Sequence, residues 1–213
     1  MLTWEEISKA ELGRTFETKA LNNCCKAVYG GVSWPGKRPG FAVIVVADRD
    51  CHIDNHDICL LDEFESFDIC KLVRQCGVLD FRYLPKQWIG DWKNDAAWSF
   101  IQEMNNELQG ENKTTNGRQL SLGLTPMFDM EQLYPYILAE IRGLLTTDHR
   151  QLYLKDSKIR GYLSEIREDE IAELERGTYP AIEALAFAVI EMRRWTEAKD
   201  YNGLRKLLVP QTA

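Results

Sequence analysis

The stretch DRDCHIDNHD, residues 48 to 57, places four Asp, two His and one Cys within ten positions. His52 and His56 stand four apart with carboxylates around them, so the stretch taken alone has the composition of a metal site. A second stretch, GVSWPGK at 31 to 37, has the glycine and lysine spacing of a phosphate-binding loop. Arg38 stands where a Ser or Thr would hold magnesium, and an apolar strand pattern follows where a helix must start. That motif therefore fails, and the chain carries no recognisable nucleotide-driven motor. The six cysteines, at 24, 25, 51, 59, 70 and 76, form no C-x-x-C pair. Most lie in apolar patterns and read as small hydrophobes in a reducing compartment.

Whether residues 48 to 57 bind metal depends on the elements that carry them. With 213 residues, 45% hydrophobic and 28% charged, the chain has the size and composition of one large soluble domain. Its longest apolar run, FAVIVVA at 41 to 47, is far too short to span a membrane. The N-terminus lacks the pattern of a signal peptide, which points to the cytoplasm. A net charge of −7 argues against broad nucleic-acid affinity, so any such binding needs a local basic strip.

Thr3 and Glu6 form a capping box that opens a helix in TWEEISKAEL, and RTFETKALNNCC continues as helix. KAVYGGVSW is a short apolar run stopped by PGKRPG. FAVIVVAD and HDICLLDEF read as strands, and their polar connection predicts an antiparallel hairpin. Ser66 is placed to cap a helix through FDICKLVRQCGV, KQWIGD reads as a strand, and Asn94 caps DAAWSFIQEMNNELQ. Beyond a polar loop come a strand in LSLGLT and a helix through YPYILAEIRGLL with Pro135 in its first turn. QLYL is a brief strand. SEIREDEIAELERG reads as a charged helix ended by Gly177, and YPAIEALAFAVIEMRRW as an apolar one. Three hairpin-linked strands followed by alternating helix and strand predict an α/β ribonuclease H-like mixed sheet with helices on both faces. The expected organisation is an N-terminal helical segment at 1–26, the sheet domain at 27–196 and a tail helix at 197–213.

The segments YGGVSWPG, FAVIVVAD, ICLLDEFES and WIGD resemble the nuclease domain of bacteriophage terminase large subunits. The downstream run LTPM, YPYILAEIRGLL, QLYLKDSKIRGYLSEI and YPAIEALAFAV resembles that domain's second half, so the likeness covers about residues 27 to 192. The resemblance implies a divalent-metal-dependent endonuclease acting on double-stranded phage DNA during packaging, in the bacterial cytoplasm. It also implies a terminase ATPase motor or portal as partner. Such chemistry uses two ions held by carboxylates, magnesium or manganese. Asp91, closing WIGD, matches the family's fourth-strand acid, and Glu183 falls where a last-helix carboxylate is usual. The first-strand acid is replaced by Ser33, and YPA at 179–181 stands where an acidic pair belongs. These departures imply at most one weakly held ion, and they open an alternative: a non-catalytic ribonuclease H-like packaging or interaction module.

If strand one runs up, the ends of strands one, three and four share one edge, which gathers Asp91, Ser33, Asp62, Glu63 and Glu65. The expected catalytic set is Asp91, Glu183 and Glu65, and the expected metal set is Asp91, Glu183 and Asp62. Lys37, Arg38 and Lys93 flank that edge as candidate DNA contacts. Residues 48 to 57 then lie at the opposite end and read as a solvated turn, since turns favour Asp and Asn. In an alternative register FAVIVVAD is the first strand and Asp48 becomes the acid.

Overall fold

A computed structural model describes residues 27–47, 58–90, 95–110, 122–123, 133–146, 152–154 and 156–189. The expected N-terminal and tail helices, the 48–57 stretch, Asp91 and Lys93 lie outside these residues.

Strands β1 (Ala27–Ser33), β2 (Gly40–Ala47) and β3 (Ile58–Ser66) form an antiparallel meander, as the hairpin pattern predicts. β4 (Trp88–Gly90) lies parallel to β1, β5 (Leu122–Gly123) parallel to β4, and β6 (Leu152–Tyr153) parallel to β3. The six-stranded order is β5-β4-β1-β2-β3-β6. This is the ribonuclease H-like arrangement: an antiparallel three-strand half continued by parallel strands on the far side of β1. The alternative register falls, because FAVIVVA is the second strand and pairs between β1 and β3.

β2 is buried on both faces, which is why its sequence is unbroken apolar rather than alternating. Phe41, Val43 and Val45 face one core with α3 (Leu133–Thr146), α4 (Lys158–Glu165) and a helix over 180–189, α5. Ala42, Ile44 and Val46 face a second core with α1 (Ile69–Tyr83) and α2 (Asp95–Gly110). Opposite β2 the pairing steps from Val45–Leu60 to Ile44–Asp62, leaving Leu61 unopposed in a β-bulge. Beyond the bulge the parity of β3 is reversed: Phe64 packs in the α1 core, and Glu63 and Glu65 turn to the α4 side.

Two local expectations are corrected. The cap of α1 is Asp68, whose carboxylate accepts from the N–H groups of Cys70 and Lys71 at 2.9 and 3.2 Å. Ser66 instead accepts from Asp68 N–H at 3.0 Å and shapes the turn before it. The charged segment is not one helix. α4 starts earlier, at Lys158, because Ser157 caps it and Glu63 accepts from Lys158 N–H at 2.9 Å. It stops where Ile166 turns extended to bury its side chain, and a 3-10 turn, Glu168–Glu173, follows.

Candidate functional site

β1 alternates Val28 and Val32 into the α1 core with Tyr29 into the α5 core, so Ser33 at its end faces α5. The helix meets the strand almost backbone to backbone. A Cβ on Gly31 would lie 1.9 Å from the carbonyl oxygen of Ala184, so glycine is what permits the approach. That contact sets Glu183, in the first turn of α5, directly against Ser33.

Glu183 is fully buried, and three donors hold it. Ser33 Oγ donates to Oε2 at 2.7 Å. Tyr134 Oη and the Gly177 N–H both donate to Oε1 at 2.6 Å. The Tyr134 hydroxyl in turn accepts from Tyr179 N–H at 2.6 Å, tying α3 to the start of α5. Gly177 reaches its position with φ of 86°, in the left-handed region that favours glycine. Burial, and then the facing Glu183 charge, push the Tyr134 hydroxyl far above the ordinary tyrosine range. The carboxylate also sits at the positive end of the helix dipole, where a negative charge is favoured.

Of the residues expected at this edge, Ser33 and Glu183 are brought together. Glu65 is not beside them. In the ladder Ser33 is opposite Phe41 and Phe41 opposite Glu65, so two strand spacings, roughly 10 Å, separate the two ends of that row. Glu65 accepts from Lys158 Nζ and from Tyr162 Oη, the latter at 3.2 Å. Asp62 lies on the opposite face, where it accepts from Tyr83 Oη at 2.9 Å and Arg82 Nη1 at 3.2 Å. Glu63 is occupied at the start of α4. β4 ends at Gly90 opposite Val32, next to Ser33, and Asp91 follows in the chain outside the described residues.

Among the candidate DNA contacts, Lys37 is exposed. Arg38 is engaged: its guanidinium lies 4.4 Å from the Tyr179 ring centre and 5.4 Å from that of Tyr162, and Nη1 is 2.7 Å from Glu165 Oε2. Among the described residues no group of three or more His, Cys, Asp or Glu side chains could hold a metal ion. With Oε1 of Glu183 accepting two hydrogen bonds and Oε2 one from Ser33, these residues do not fit a two-ion centre.

The donors Tyr134 and Gly177 belong to this cluster, and sequence reasoning does not identify them. The available signal is a carboxylate inside the apolar helix IEALAFAV, which demands buried donors without saying which.

Comparison with solved structures finds two terminase nuclease domains. The chain is similar to the large terminase nuclease from thermophilic phage G20c, at 14% identity over 76% of this chain and 81% of that one, with a TM-score of 0.49. It is also similar to the human cytomegalovirus terminase nuclease domain, at 13% identity over 89% and 94%, with a TM-score of 0.48. No family model matches the chain, and no curated protein does. The ribonuclease H-like fold stands on the strand order itself.

Proposed function

We propose that this chain is a terminase-type ribonuclease H-like module that engages double-stranded phage DNA during packaging without cutting it. Its partners on this reading are the duplex and a terminase ATPase motor or portal. The observation that carries it is the state of Glu183: buried, held by three donors, and facing a serine hydroxyl where a second carboxylate would be needed. A divalent ion would have to displace the Ser33 hydrogen bond, and among the described residues it would meet one charged ligand there instead of several.

A second reading, a magnesium- or manganese-dependent endonuclease using Asp91, Glu183 and Glu65, is favoured by one observation. β4 runs parallel to β1 and ends at Gly90, the residue before Asp91 in the sequence, at the end of the sheet where Ser33 meets Glu183. Plasmid nicking with manganese separates the two. The module reading predicts no metal-dependent nicking by the wild type and no difference on Asp91→Ala. Nicking that Asp91→Ala abolishes would establish the endonuclease.

A further inference from the structure

We propose that Arg38 is a phosphate-releasable latch that holds the turn after β1 closed over the Ser33–Glu183 pair. The turn runs from Trp34 to Pro39 and leaves the sheet directly from Ser33. Gly36 packs at the level of Gly177, where an added Cβ would be 3.4 Å from the Gly177 carbonyl oxygen. Gly177 is the residue whose N–H binds Glu183. Arg38 fastens this turn by stacking on Tyr179 and, at longer range, on Tyr162. Tyr179 is buried beneath the guanidinium, and its N–H holds the Tyr134 hydroxyl that also donates to Glu183. The other ring leads to the second expected acid, since Tyr162 Oη donates to Glu65. One cation thus covers the supports of both carboxylates.

The fastening is of a kind that an anion can undo. The ion pair with Glu165 uses Nη1, and both partners are partly open to water, 32% and 48% exposed, where such pairs hold weakly. A guanidinium carries five N–H donors, and a phosphate takes two of them side by side. A phosphate group therefore outcompetes a single carboxylate contact, and one held on the exposed side of the turn beside Lys37 draws Arg38 toward it and off the two rings. Lys37, exposed beside it, adds attraction for the same group. The source of that phosphate in the packaging reading is the DNA backbone, and this part of the inference rests on that reading. A free pyrophosphate has the same chemistry.

The test is amide hydrogen exchange resolved by NMR on the full chain, read at Gly36, Gly177 and Tyr179, with the β2 amides of Val43 and Val45 as a folding control. Arg38→Gln is expected to speed exchange at the three sites by about tenfold and leave the β2 control unchanged. Glu165→Gln, which keeps the stacking, gives a smaller increase and guards against a general loss of fold in the first variant. Millimolar pyrophosphate at matched ionic strength, or a short duplex, is expected to reproduce the Arg38→Gln effect in the wild type and add nothing to the variant. An effect of pyrophosphate without one of duplex keeps the latch and removes DNA as its trigger. Wild-type exchange in Arg38→Gln, or no response to either phosphate source, overturns the proposal.

Discussion

Glu183 is a carboxylate among Ala181, Ile182, Ala184 and Leu185, and its donors are what make that position tolerable. Tyr134→Phe removes one donor from Oε1 and also strips the Tyr179 N–H of its acceptor, with an expected loss of about 2–3 kcal/mol. The same hydroxyl predicts the alkaline limit. Its folded-state pKa is raised above the ordinary tyrosine value of 10.0, so the folded state holds the proton longer than the unfolded chain does. The contribution is complete below pH 10.0 and is lost as pH rises above it. Tyr83, pushed up to about 12 by burial and by Asp62, adds a second loss of the same sign. Urea denaturation from pH 8 to 11 should show wild-type stability falling above 10, with a shallower fall in Tyr134→Phe; equal slopes would remove Tyr134 from the account. Glu183 was legible in the sequence only as a family position. Its donors were not, because Tyr134 lies 49 residues away and meets it only through the packing of α3 on α5.

At the scale of elements, the contact between β1 and α5 does the positioning. Gly31→Ala would set a methyl group 1.9 Å from the Ala184 carbonyl and 2.9 Å from the Ala188 nitrogen, backbone atoms that cannot rotate away. The expected cost is about 3 kcal/mol, with Ser33 and Glu183 drawn apart. Gly143→Ala, inside α3 with open space around its Cβ, should instead stabilise by about 0.5–1 kcal/mol. Chemical denaturation of the two variants is the check, and wild-type stability in Gly31→Ala would mean that α5 does not lie on β1 as described. The strands were legible because their patterns are strong: a two-faced apolar run in β2 and polar connections at hairpin scale. The segment 164–177 misled because its charge pattern suits a helix while Ile166 is needed in the core. The bulge at Leu61 left no mark in composition, yet it decides which face each acid takes, turning Asp62 toward Tyr83 of α1 and Glu65 toward Tyr162 of α4.

For the whole molecule, the sheet order places the chain among ribonuclease H-like folds, and the net charge of −7 disfavours broad nucleic-acid affinity. None of the described helices is long and apolar enough to cross a membrane. The strand ends that flank residues 48–57, Ala47 and Ile58, pair at the opposite end of the sheet from Ser33. What the fold does with Glu183 is the central question, and its stability answers it. A carboxylate kept for metal is a liability until the ion arrives, whereas one kept as a lock stabilises the empty protein. Thermal melting of wild type and Glu183→Gln in EDTA, then with manganese, separates these cases. As a lock, Glu183→Gln loses about 2–3 kcal/mol, because its hydrogen bonds are no longer charge-assisted and the Ser33 hydroxyl must turn to accept from the amide; the melting temperature falls by about 4–10 °C, and micromolar manganese leaves the wild type unmoved. An unchanged or raised melting temperature for Glu183→Gln in EDTA, with the wild type stabilised by micromolar manganese, would contradict the account.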